Sequence, residues 1–89
     1  MILQFTLFQN YPNPFNPITK IRYSLLKSEW IKLKIYNAAG QEITMLVDEF
    51  QPAGDHHIDF DGHDLASGVY FYQLHVGDVD EIRKMILIK

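Results

Sequence analysis

Histidines and carboxylates crowd one stretch of this 89-residue sequence, where His56, His57, Asp59, Asp61, His63 and Asp64 fall close together. Imidazole nitrogens and carboxylate oxygens are the usual protein ligands of zinc and other divalent ions, so a metal is the first chemistry to test. An extended strand sends alternate side chains to opposite faces. That parity turns His57, Asp59 and Asp61 outward, while His56 joins Ile58 and Phe60 on the inner face, so four ligands do not converge. A calcium loop of the EF-hand type needs glycine at its sixth position and glutamate at its twelfth, whereas Asp59-x-Asp61-Gly62 puts glycine fourth. The Asp61-Gly62 pair reads better as turn chemistry. No metal site and no cofactor is expected.

Nucleophilic chemistry fares no better. Ser24, Ser28 and Ser67 lie in no nucleophile-elbow sequence, and no glycine-rich phosphate loop is present. The sequence has no cysteine, which removes thiolate catalysis, thiolate metal sites and disulfides. Carboxylate pairs for glycoside hydrolysis want a deep cleft, and a chain this short leaves little room for one. A non-catalytic protein is expected. The net charge of −3 also argues against a nucleic-acid binder, which draws most of its affinity from a basic surplus. The charge is uneven: residues 1–40 carry five cations against Glu29 alone, and residues 41–89 carry ten anions against three cations. No apolar run reaches the length of a membrane span, and Met1 leads into an alternating segment rather than a signal-peptide layout.

The elements that must position these groups are strands. Apolar residues recur with a period of two between Gly, Pro, Asn and Asp, and no window shows a helical stripe. Ile31, Leu33 and Ile35 alternate with Lys32 and Lys34. Ile21, Tyr23 and Leu25 alternate with Lys20, Arg22 and Ser24, and Tyr70, Tyr72 and Leu74 alternate with Phe71, Gln73 and His75. The run Ile82 to Ile88 is apolar enough for both of its faces to be covered, or for one to await a partner. Strands are predicted near 3–9, 19–25, 30–36, 42–47, 55–60, 69–76 and 80–88. Positive φ is predicted at the glycines of Ala39-Gly40, Pro52-Ala53-Gly54, Asp61-Gly62 and Gly77-Asp78. Seven short strands suit an all-β, antiparallel, immunoglobulin-like β-sandwich in one domain spanning 1–89, without the cysteine pair or central tryptophan of antibody domains. At 10.4 kDa, a single folded core should expose roughly 5,400 Å².

Asn10-Tyr11-Pro12-Asn13-Pro14-Phe15-Asn16-Pro17 is the one low-complexity patch. Its prolines remove main-chain donors and hold their neighbours extended, so Pro12, Asn13, Pro14 and Phe15 should form a stiff structural loop. Burial of the Tyr11 and Phe15 rings would pin this loop to the sandwich.

Six segments, taken in order, resemble the type A C-terminal sorting domain of the type IX secretion system. They are Phe8 to Pro17; Ile35-Tyr36-Asn37 with Gly40-Gln41-Glu42; Ala53-Gly54 with His56; Phe60-Asp61-Gly62; Leu65 to Tyr72; and Lys84-Met85 with a terminal lysine. The middle and end are more distantly similar to the immunoglobulin-like domain of flagellar hook-capping proteins. The usual pattern is departed from at Leu26, Trp30 and Ala39. The resemblance implies an address rather than an enzyme: a tail excised from a larger secreted protein, with its N-terminal passenger covalently attached. An outer-membrane translocon would recognise it, a sortase would commonly remove it, and the passenger would reach the cell surface or medium by way of the periplasm.

Recognition would then fall on the final hairpin, through Gly68, Tyr70, Lys84, Met85 and Lys89, with an exposed main-chain edge open to strand addition. In this reading Lys84 and Lys89 give specificity, Gly68 permits a backbone geometry or close approach that a Cβ would block, and Tyr70 fills the core behind it. Lys20, Arg22, Lys32 and Lys34 offer basic faces to acidic loops or lipopolysaccharide phosphates, and exposed strands leave a homodimer open. The alternative function is a carbohydrate-binding or adhesive module that stacks sugars on Trp30, Tyr36 and Phe71.

Overall fold

The computed structural model describes residues 4–89. Seven strands follow in order: β1 (Phe5–Leu7), β2 (Ile18–Leu25), β3 (Glu29–Asn37), β4 (Glu42–Gln51), β5 (Gly54–Asp61), β6 (Gly68–Val76) and β7 (Val79–Leu87). They form two antiparallel sheets, β1-β2-β5 and β4-β3-β6-β7, with no helix among the described residues. The all-β sandwich read from the periodicity is the structure. Relative to the constant-type immunoglobulin pattern, β4 has moved across to pair with β3 instead of β5. The exposed area is 5377 Å², close to that expected for one core.

The inner faces carry the alternating residues. Ile21, Tyr23 and Leu25 of β2, Ile31, Leu33 and Ile35 of β3, and Tyr70, Tyr72 and Leu74 of β6 are all buried. On β7, Met85 and Leu87 are buried while Ile82 remains 58% exposed, so one face joins the core and the other stays open. β4 outruns its predicted end by four residues. Register shifts against β3, between Leu33 and Lys34 and again between Ile35 and Tyr36, break the period-two pattern that would have marked it. β1 is shorter than predicted because after Leu7 the chain crosses over to the β7 edge of the other sheet and returns to β2, its neighbour in the same sheet; the predicted start at Leu3 lies outside the described residues.

That crossing is the proline loop. Phe15 is 1% exposed and meets Phe60 edge to face at 6.1 Å. Tyr11 does not pack inward as predicted: its ring is 78% exposed, and only its main chain holds, pairing with Lys20 through both N–H and C=O. Asn10 takes the inward place instead. Its N–H donates to the Tyr72 hydroxyl at 2.8 Å, and that hydroxyl donates to the Phe8 carbonyl at 2.7 Å. The Asn10 amide donates to Thr19 Oγ1 at 3.0 Å and to the Pro12 carbonyl at 3.2 Å, and Thr19 Oγ1 donates to the same carbonyl at 2.8 Å. No buried side-chain polar atom among the described residues lacks a partner.

The loop also overturns the expected free edge on the final hairpin. Phe15 lies beside β7 in a parallel bridge, its N–H donating to the Ile86 carbonyl at 2.9 Å and its carbonyl accepting from the Ile88 N–H at 2.9 Å. Asn13 Oδ1 accepts from the Ile86 N–H at 3.0 Å, and Gln9 Nε2 donates to the Lys84 carbonyl at 2.7 Å. Gly62 departs from its predicted positive φ as well. It serves by close approach, since a Cβ there would sit 3.2 Å from Leu87 Cδ2 and 3.4 Å from Phe15 Cε2.

Burial raises the pKa of the Tyr72 hydroxyl to about 12, against the ordinary value of 10.0. Because the folded state holds this proton more tightly, Tyr72 contributes stability that is fully present below pH 10 and is lost as pH rises toward about 12. Tyr72→Phe leaves the Asn10 N–H and the Phe8 carbonyl unpaired in the interior and is expected to cost about 1–3 kcal/mol in urea unfolding. Burial also raises the pKa of the Tyr23 hydroxyl, so a phenolate absorbance titration of the wild type is expected to show two tyrosines ionising late, with alkaline loss of structure, and Tyr72→Phe should show one fewer.

Candidate recognition surface

The five hairpin residues singled out in the sequence divide into supports and exposed cations. Met85 is fully buried, and Tyr70 is nearly so, with its hydroxyl donating to the Ala66 carbonyl at 2.7 Å. Gly68 pairs with Leu87 across the hairpin and has φ +155°, a backbone state that side-chain-bearing residues rarely adopt. An ideal Cβ on Gly68 would meet nothing within 4 Å, so backbone geometry and not close approach explains the glycine. Lys84 and Lys89 are exposed. Lys84 stands opposite Phe71 on β6. Lys89 is tied to the β5–β6 loop: its ammonium donates to the His63 carbonyl, and its N–H donates to Ser67 Oγ at 3.0 Å. Direct contact from this set is therefore available to Lys84 and Lys89, while Gly68, Tyr70 and Met85 set the shape beneath them.

The four basic residues on β2 and β3 do not form one surface. Lys20 and Arg22 belong to the three-stranded sheet and Lys32 and Lys34 to the four-stranded sheet, with each pair on the outer face of its own layer. Lys20 approaches Asp59 at 4.0 Å, and the Arg22 guanidinium sits 5.1 Å from the centre of the Phe8 ring. Lys34 reaches Glu42 at 3.2 Å, and that bond raises the lysine pKa. Lys32 lies opposite Asp48 on one side and His75 on the other. His75 itself pairs with Asp80 across the β6–β7 hairpin.

The histidine stretch is likewise taken up locally. His56 stacks on Tyr23 at 5.4 Å and hydrogen-bonds the Pro52 carbonyl at 2.8 Å. His63 lies between Asp61 at 3.2 Å and Asp64 at 3.1 Å. Among the described residues, no group of three or more His, Asp or Glu is gathered as a metal site. Of the aromatics considered for sugar stacking, Trp30 is 53% exposed, but its indole N–H is committed to Asp48 at 2.7 Å. Tyr36 and Phe71 are half-buried and line a shallow groove with Gln73 and Ile82.

Residues 9–89 match the family described as the secretion system C-terminal sorting domain. The chain belongs to that family. No curated protein matches it. Membership makes this sorting domain part of type IX secretion: a non-catalytic signal attached to a passenger, engaging the secretion machinery and serving export to the cell surface or medium. Sequence reading placed Gln9 and Asn13 in the proline segment but missed their attachment to the sorting domain's final hairpin, and it missed Arg83 altogether. Gln9 and Asn13 bond the hairpin's main chain, and the Arg83 Nε–H donates to the Leu7 carbonyl at 2.7 Å. The sequence signal for Gln9 and Asn13 was the density of amides around the prolines; Arg83 carried none.

Gly68→Ala should cost about 1–3 kcal/mol through backbone strain alone, because the added methyl group meets open space. Equilibrium unfolding of the variant, with an unchanged dependence on denaturant concentration, is the check.

Proposed function

We propose that this domain is the address by which a passenger joined to its N-terminal side is carried through an outer-membrane type IX translocon, with the exposed cations of the final hairpin as its specificity contacts. The single observation that carries the reading is the family match across residues 9–89. What supports the assignment of contacts is accessibility. The inner face of the hairpin is core and its β7 edge from Lys84 to Ile88 is occupied, which leaves the outer face with Lys84, and Lys89 at the pole beside Ser67. The domain has no reaction of its own in this account; a sortase supplies the covalent step when the tail is removed from the passenger.

Recognition by exposed lysines is electrostatic, so it weakens with salt and with charge removal. A fluorescent passenger fused ahead of the whole domain should reach the surface, and deleting the domain should abolish that delivery. The Lys84→Ala/Lys89→Ala double variant should fold normally yet bind the purified outer-membrane translocon about tenfold less tightly, the loss of a contact worth about 1.4 kcal/mol. Equal binding by wild type and double variant, or binding insensitive to ionic strength, removes the lysines from this role. A glycan array that shows binding lost in Trp30→Ala would instead favour the adhesive reading.

A further inference from the structure

Every sheet edge of this sandwich carries a device against unwanted strand pairing, and β7 carries an unusual one. β4 presents Asp48 and Glu49 and is irregular against β3. β5 presents Asp55, Asp59 and Asp61, and β1 is only three residues long. Charge, irregularity and shortness are the common protections of sheet edges. β7 differs, because Met85-Ile86-Leu87-Ile88 is an uninterrupted apolar run without charge or proline, the composition most prone to pair with copies of itself. Charge appears only at its flanks, in Lys84 and Lys89.

Over that same run, the outward main chain is already bonded. The Lys84 carbonyl, the Ile86 N–H, the Ile86 carbonyl and the Ile88 N–H accept from or donate to Gln9, Asn13, Phe15 and Phe15 respectively. The segment making these bonds cannot pass the ladder outward through Pro12 or Pro14, which have no N–H. Two of the four bonds come from exposed side chains, and the other two come from the main chain of the buried Phe15.

We propose that Gln9–Phe15 is an intramolecular edge seal: it takes the place of a neighbouring strand on β7 and prevents the Met85–Ile88 run from pairing with a second copy of this chain. The seal and the fold are separable. Phe15 and Asn10 anchor the loop in the interior, whereas Asn13 sits outside it and its side chain bonds the edge; the exposed Gln9 amide is shared between the Lys84 carbonyl and Asn10 Oδ1, each at 2.7 Å, so the Asn13 variants isolate the seal from the interior.

The test uses Gln9→Ala/Asn13→Ala, the single Asn13→Ala, and Asn13→Asp, which keeps an acceptor for the Ile86 N–H. In both alanine variants, amide hydrogen exchange at Ile86 should accelerate at least about tenfold. The Met85 and Leu87 amides, which alternate toward β6, should hold their protection. Sedimentation of the double variant should reveal a concentration-dependent dimer in which Ile86 regains protection, while the wild type and Asn13→Asp remain monomeric. Unchanged Ile86 exchange in the alanine variants overturns the proposal. So does a double variant that exchanges faster yet stays monomeric, a dimer whose new protection falls on β4 or β5, or an Asn13→Asp variant that behaves like Asn13→Ala.

Discussion

The hydroxyl of Tyr72 ties the two layers of this sandwich by polar bonds, as the Tyr23 hydroxyl bonded to Gln51 at 2.6 Å does on the β4 side. The Tyr72 hydroxyl originates on β6 of one sheet and reaches the chain segment leaving β1 of the other, accepting from the Asn10 N–H and donating to the Phe8 carbonyl. Hydrophobic contact alone holds sheets together without fixing their relative position, because it lacks direction. A buried hydroxyl satisfied on both sides does have direction, and any sliding of the layers would leave two main-chain groups unpaired. From Asn10 the constraint passes through Thr19 to the Pro12 carbonyl, so the entry into β2 is set by the same group of bonds.

Once the crossing is fixed, the terminal strand follows. Phe15 enters the core beside Phe60 and under Leu87, and Gly62 leaves room for that contact by lacking a Cβ. The Arg83 guanidinium bonds the Leu7 carbonyl, adding a second polar bridge between the sheets on the same side of the molecule. This side is closed, whereas the side bearing β4 and β5 relies on carboxylates. The charge asymmetry of the sequence therefore has a structural counterpart: Glu42, Asp48, Glu49, Asp55, Asp59 and Asp61 all lie on these two edge strands and are exposed.

Much of the fold was legible from alternation, because a half-buried strand writes its orientation into every second residue. β2, β3 and β6 could be assigned inner and outer faces residue by residue. The end of β4 was hidden because bulges shift the parity at Leu46 and Ile43, after which Asp48, Glu49 and Phe50 continue the strand on an exposed edge. The loop was legible as stiff but not in its attachments. Composition favours the Tyr11 ring as an anchor, yet Asn10, a small amide, is the residue that satisfies three main-chain and side-chain partners in the interior. Long-range bonds such as Gln9 to Lys84, 75 positions apart, leave no periodic trace in a single sequence. For the same reason the occupied β7 edge could not be anticipated, although the residues on both sides of it were identified.

The two ends of the described chain lie at opposite poles. A Cβ on Gly77, at the β6–β7 turn, would come within 3.6 Å of the Gln4 side chain, whereas Lys89 is fastened to Ser67 at the other end of the same hairpin. The body between them has a long axis of 37 Å. A receptor that grasps the Lys89 pole would consequently meet the address first and have its cargo trailing behind, with the length of the sandwich serving as a spacer that keeps bulky freight clear of the docking point.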